Sequence, residues 1–251
     1  MKESMLAGLK VRCAGGDDGD GAGDGPLLIL LHGYGAPGDD LVPLWRGISA
    51  PPRTRFLFPE APKSVPELGG GRAWWDIDMV VYQVALMTGQ GRELGFRVPE
   101  GLAEAREKLA GLLAAIGGPT LAAPKDSGVF LGGFSQGAML SLDLALRADA
   151  SRVPLAGLLL LSGSFVARRE WEPLLSSLGE GARRGLRVLQ SHGTEDPILP
   201  FPSAEELREE LRRAGADVTW IPFRGGHGIP PQVLDGIGSF LRRGIERRAE
   251  G

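Results

Sequence analysis

The feature that most constrains this chain is Gly133-Phe-Ser-Gln-Gly137, set between a short apolar run, Val129 to Leu131, and an Ala- and Leu-rich helical stretch reaching Leu146. A G-x-S-x-G turn joining strand to helix forces its central serine into strained backbone geometry and lifts the hydroxyl above the sheet. A side chain at either flanking position would collide with the strand or the helix, which is why glycine stands at 133 and 137. The helix N-terminus beneath Ser135 offers unpaired N–H groups and a positive dipole end, and both favour negative charge on a reacting oxygen. A strand, a sharp turn and a helix in succession call for an α/β architecture around them.

The rest of the chain agrees with that demand. Leu27 to Leu31 is wholly apolar and reads as a central strand buried on both faces. Arg55 to Phe58, Pro154 to Leu161, Arg187 to Ser191 and Val218 to Phe223 read as further strands. Between them lie amphipathic helices over Glu100 to Ile116, Ser203 to Ala214 and Pro230 to Ile245, with Ser203 and Glu206 spaced as a capping box. Met5 to Cys13 reads as an edge strand, and the acidic, glycine-rich Gly15 to Gly25 as a solvated hairpin loop. No Glu closes that acidic tract at calcium-loop spacing, so no calcium site is expected there. Strands alternating with helices imply a mostly parallel sheet with helices on both faces, and the 251 residues suit one such domain. Residues 79–98 are the one mixed segment and are expected to form a cap or lid.

Composition excludes several classes. With 43% hydrophobic and 24% charged residues the chain is that of a soluble globular protein, and a net charge of −3 argues against a sequence-independent nucleic-acid binder. Arg242, Arg243, Arg247 and Arg248 fit the C-terminal end of a last helix, where the dipole favours cations. Cys13 is the only cysteine, which excludes an intrachain disulfide. No signal-peptide core and no membrane span is legible, so a cytoplasmic location is expected. A homodimer is compatible with the sequence.

His32-Gly-Tyr-Gly-Ala-Pro-Gly38 follows a strand and contains G-x-G-x-x-G, with Glu60 about twenty residues on. Pro37 has no N–H to give a pyrophosphate, and the helical periodicity that follows is short. The better reading is an oxyanion loop, whose glycines turn a backbone N–H toward a reacting carbonyl oxygen. A serine hydroxyl needs a base, and the base needs an orienting acid. His227, on a glycine-rich loop after the last strand, is free to reach Ser135, so the acid falls between positions 136 and 226. Asp196, at a post-strand turn stiffened by Pro197, is the best placed; Glu195 beside it is the rival, and Asp143 and Asp149 lie on or near the helix after Ser135. Trp74 and Trp75, on a long loop from Pro59 to Asp78, are read equally as packing and as pocket walls. With Leu86 and Met87 they are the expected acyl pocket, which two indoles would keep short.

Together Leu31-His-Gly-Tyr-Gly35, Pro59-Glu-Ala-Pro62, Ala73-Trp-Trp-Asp-Ile77, Gly132-Gly-Phe-Ser-Gln-Gly-Ala-Met139, His192-Gly-Thr-Glu-Asp-Pro197 and Gly226-His-Gly-Ile-Pro-Pro231 carry a resemblance. From Leu27 to the C-terminal helix the chain resembles the phospholipase/carboxylesterase family of α/β-hydrolases, which includes small bacterial carboxylesterases and acyl-protein thioesterases. The resemblance implies Ser135 as nucleophile, Asp196 as orienting acid, His227 as base, and an oxyanion hole from the N–H groups of Tyr34 and Gln136. It implies hydrolysis of a small-molecule ester or thioester, with lysophospholipids as an alternative substrate and no metal or organic cofactor. Residues 79–98 depart from the family pattern, and Gly228 stands where a serine is common. A non-catalytic interaction module with the same fold is the remoter alternative.

Overall fold

The apolar runs become strands because both their faces are covered. The computed structural model describes residues 1–125, 127–147, 154–176, 178 and 185–249. Its strands are β1 (Lys2–Leu6), β2 (Leu9–Gly15), β3 (Leu27–Leu31), β4 (Arg55–Pro59), β5 (Lys63–Val65), β6 (Gly71–Ala73), β7 (Val129–Phe134), β8 (Leu155–Leu161), β9 (Arg187–Gly193) and β10 (Asp217–Phe223). The helices are α1 (Leu44–Gly47), α2 (Met79–Met87), α3 (Gly91–Leu94), α4 (Leu102–Ala114), α5 (Gln136–Ala145), α6 (Arg168–Ser176), α7 (Phe201–Arg213) and α8 (Pro231–Ala249).

Among the described residues the main sheet has eight strands in the order β1-β2-β4-β3-β7-β8-β9-β10. Pairing is parallel from β4 through β10, while β2 is antiparallel to both β1 and β4. Side chains alternate along each strand, so a wholly apolar strand feeds two cores. Leu27, Ile29 and Leu31 join one cluster with Val129, Leu131, Leu158 and Leu160, under α4, α5, α6 and α7. Leu28 and Leu30 join the other with Phe130, Leu159 and Leu161, under Val233, Ile237, Phe240 and Leu241 of α8. The two-faced parallel sheet expected from the sequence is the one observed.

Four local expectations are corrected. The first edge strand is a hairpin, β1 and β2, reversing through Ala7 and Gly8 at φ 49° and 77°. The acidic tract after it is no hairpin loop, because β2 and β3 do not pair and β4 lies between them. Its carboxylates have local uses instead: Arg53 bonds Asp17 and Asp24, and Asp18 accepts the N–H groups of Asp20 and Ala22. Helix α7 starts at Phe201 with no side-chain cap, so Ser203 lies inside it and Glu206 pairs with Arg168 at 2.9 Å. The long loop from Pro59 to Asp78 folds in part as the β5–β6 hairpin. Of the C-terminal arginines, Arg242 bonds Ser49 O and Arg247 bonds Asp217, while the side chain of Arg248 lies outside the described residues.

Candidate active site

Ser135 stands between β7 and α5 at φ 53°, ψ −116°, a backbone region that L-residues avoid. The flanking glycines explain how the chain tolerates it. A Cβ at Gly133 would lie 2.5 Å from Leu31 O and 2.6 Å from Gly137 C, and one at Gly137 would lie 2.2 Å from Leu31 O. Strand β3, the turn and the start of α5 are therefore in backbone contact. The loop that leaves β3 passes directly over the serine, since a Cβ at Gly33 would come within 3.3 Å of Ser135 Cβ. Gln136 is the first residue of α5, where N–H groups have no partner inside the helix.

The loop over Ser135 is tied down on every side. His32 is 2% exposed; Ala61 N–H donates to its Nε2 at 3.0 Å, so Nδ1 carries the proton and donates to Gly33 O at 2.8 Å. Gly35 N–H donates to Arg72 O and Arg72 N–H to Ala36 O, each at 2.8 Å. Tyr34 lies between these anchors, its hydroxyl reaching Ile77 O at 3.4 Å.

Asp196 and His227 come from the ends of β9 and β10, which neighbour each other in the sheet. Their loops touch: Glu195 N–H donates to Gly225 O at 2.9 Å, and a Cβ at Gly193 would meet Gly226 O at 2.2 Å. His227 Nδ1–H donates to Asp196 Oδ2 at 2.6 Å, which leaves Nε2 without that proton. The His227 ring lies 4.6 Å from the ring of Phe134, the residue before Ser135. The other carboxylate oxygen, Oδ1, accepts the N–H groups of Ile198 and Leu199 at 2.9 Å each. Burial opposes the ionisation of Asp196, but the His227 bond and these two N–H donors outweigh it and hold the carboxyl below its ordinary value of 3.8. Glu195 points away and pairs with Arg224 at 3.2 Å, both side chains exposed. Asp143 lies on α5, buried among Arg106, Arg147 and Trp171, and Asp149 is outside the described residues.

Two further residues hold the acid's loop, His192, which the sequence places at a strand end before Asp196, and Tyr82. His192 is fully buried and donates from Nε2 to Leu199 O at 2.7 Å, with Asp196 Oδ2 at 3.3 Å from the same nitrogen. Its place four residues before Asp196 at a strand end was the available signal. Tyr82, on α2, donates to Ile198 O at 2.9 Å and so fastens this helix to the loop of the acid. Burial, with Asp196 nearby, pushes the Tyr82 phenol up to about 12. Nothing in the sequence marked it.

The four residues expected to wall an acyl pocket do not form one surface. Trp74 and Trp75 are core residues, 1% and 2% exposed, whereas Met87 is 88% exposed; the side chain of Leu86 is outside the described residues. A cavity of about 220 Å³ opens between α2 and α3, lined by Val80, Val81, Val84, Leu94 and Arg97 among others, and by none of Ser135, Asp196 and His227.

Burial pushes the His32 and His192 imidazoles below their ordinary value of 6.5. Folded, both stay neutral where the unfolded chain already binds protons, so unfolding takes up protons below about pH 6.5. The stabilisation is complete above that value and is lost as the pH falls through it. Melting temperature is therefore expected to drop between about pH 6.5 and about pH 5.5, above the range of ordinary carboxylates. A flat or rising melting temperature over that interval would contradict it.

Along most of its length the chain is similar to known proteins. A family model described as phospholipase/carboxylesterase matches residues 22–245. Acyl-protein thioesterase 1 of Gibberella zeae is 28% identical over 229 residues, spanning 86% of this chain and 89% of the relative. Carboxylesterase SOBER1 of Arabidopsis thaliana is 26% identical over 232 residues, spanning 88% and 91%. The crystal structure of esterase PE8 superposes with a TM-score of 0.69 at 28% identity, covering 97% of this chain and 99% of that one. No helix among the described residues is long and apolar enough to cross a membrane.

Proposed function

Because the chain belongs to the phospholipase/carboxylesterase family of α/β-hydrolases, we propose that it cleaves carboxylic esters of short to medium acyl chains through an acyl-enzyme intermediate. The observation that carries this reading is the strained Ser135 at the head of α5, with the His227–Asp196 pair at 2.6 Å on the neighbouring loops. Ser135 Oγ attacks the acyl carbon while His227 Nε2 takes its proton. The oxyanion is held by the N–H groups of Tyr34 and Gln136, and losing one such donor typically costs about 3 kcal/mol of barrier. His227 then protonates the leaving alcohol, and water repeats the cycle on the acyl-enzyme.

Asp196, ionised and held by Ile198 and Leu199, keeps the proton of His227 on Nδ1 and stabilises the imidazolium as it forms. The Phe134 ring packs on His227, and the Tyr82 hydroxyl donates to Ile198 O two residues after Asp196. Thioesters form a second reading, favoured by the relative named as an acyl-protein thioesterase.

A panel of p-nitrophenyl esters from acetate to palmitate, run beside acetyl and palmitoyl thioesters, tests the substrate. The expected profile peaks between acetate and octanoate and falls steeply beyond. A profile that peaks at palmitate, with faster turnover of the palmitoyl thioester, would move the substrate to long-chain thioesters. A chain that turns over none of them and whose Ser135 a fluorophosphonate leaves unlabelled would revive the interaction-module reading.

A further inference from the structure

We infer that Trp74 is a positioning residue that holds the two oxyanion donors at a fixed separation. The inference rests on the proposed role of the Tyr34 and Gln136 N–H groups. Those two groups belong to different parts of the chain: one to the loop leaving β3, the other to the first turn of α5. Something must hold their spacing, because a misplacement of about 1 Å in a catalytic group can cost about 100-fold in rate.

The hydrogen bonds form a closed ring around both. The side chain of Gln136, 1% exposed, accepts the N–H of Trp74 on Oε1 at 2.9 Å and donates from Nε2 to Trp75 O at 2.8 Å. The residue whose backbone supplies one donor thus grips the Trp74–Trp75 segment with its side chain. Trp74 Nε1–H in turn donates to His32 O at 3.0 Å, two residues before Tyr34. The indole also packs on the His32 ring at 5.6 Å between centroids. Two residues earlier on the same segment, Arg72 pairs with Gly35 and Ala36 on the far side of Tyr34. Tyr34 is therefore suspended between two anchors on one segment, and that segment is fastened to the residue carrying the second donor. The bonds that join Gln136, Trp74, Trp75 and His32 are buried, so no water competes for them.

An indole that merely satisfied its own N–H would show the same bond, and kinetics separate the two cases. The full-length protein and its Trp74→Phe, Gln136→Met and double variants are assayed on p-nitrophenyl acetate and titrated with a trifluoromethyl ketone. In that adduct Ser135 Oγ bonds the carbonyl carbon, the carbonyl electron pair moves to oxygen, and the Oγ proton passes to His227. Its oxyanion therefore reads the same two donors, whereas KM reads the neutral ester.

Trp74→Phe is expected to lower kcat tenfold or more with KM within about twofold, and to raise the inhibition constant by the same factor. Gln136→Met, which keeps the backbone N–H and the indole, is expected to do likewise and so carries the test if Trp74→Phe misfolds. The double variant should be little worse than either single one, since both break one ring. Unchanged kcat in both single variants overturns the inference, and so does a lower kcat with an unmoved inhibition constant. A wild-type protein that neither hydrolyses the ester nor binds the ketone overturns the underlying reading of the site instead.

Discussion

Ser135→Gly is expected to remove ester turnover by about 10⁶-fold while raising the melting temperature, and Ser135→Ala to remove it equally without that gain. The two effects have separate causes. Turnover is lost in both because each removes the hydroxyl proposed to form the acyl bond. Stability differs because of the backbone. At φ 53° and ψ −116° the Cβ of residue 135 is strained, and alanine keeps that Cβ whereas glycine does not. Relief of such strain is about 1–3 kcal/mol, offset by about 0.5–1 kcal/mol for the extra freedom of glycine in the unfolded chain. A net gain of about 1 kcal/mol corresponds to about 2–4 °C for a chain of this size. Thermal unfolding followed by circular dichroism, beside an ester assay, measures both. A Ser135→Gly protein melting below Ser135→Ala would mean that the turn is not strained.

Asp196→Asn is expected to lower kcat by about 10⁴-fold while the fold is retained. An amide oxygen in the place of Oδ1 can still accept the N–H groups of Ile198 and Leu199. The NH₂ group then falls where Oδ2 stood, facing His227 Nδ1 at 2.6 Å and His192 Nε2 at 3.3 Å. It can only donate, so the proton of His227 moves to Nε2 and the ring can no longer take one from Ser135. Some stability goes as well. A carboxyl held below 3.8 contributes stability that is present above that value and lost as the pH falls through its folded value, so the variant should lose less on acidification there. Glu195→Gln is the control, because its exposed pair with Arg224 is worth about 0–1 kcal/mol and touches neither histidine. Its kcat should stay within about twofold. The reverse pattern would transfer the acid to Glu195.

How far these residues were legible in the sequence depended on whether their positions follow from local sterics. Gly133, Ser135 and Gly137 were legible because a strand-to-helix turn permits little else, and the contacts of Leu31 O with both glycine positions bear that out. The burial of Leu27 to Leu31 on both faces of the sheet was legible because an unbroken apolar run needs two covers. Glu195 and Asp196 could not be separated by spacing alone, since both follow the same strand. Their separation depends on the turn, in which the N–H groups of Ile198 and Leu199 draw Asp196 inward.

Trp74 and Trp75 were ambiguous for a different reason. A place on a long loop left packing and pocket walls as equal readings, but the Arg72 ties and the Gln136 side chain draw the segment into the core. The Gln136 bonds join residues more than sixty positions apart, which no local pattern encodes. Helix α2 was illegible because its exposed Val80, Val84 and Met87 give it no polar outer face, and its polar tie through Tyr82 reaches across the fold to Ile198.

The central claim is that Ser135 is the nucleophile, activated by His227. Its most direct test is peptide mapping after treatment of the wild-type protein with a fluorophosphonate, which reports where phosphorus becomes attached. One phosphonyl group per chain on Ser135, with loss of ester turnover in proportion to labelling and no label in His227→Ala, is the expected result. Labelling at another residue with turnover lost, or an unlabelled Ser135 in a chain that still hydrolyses esters, would contradict it.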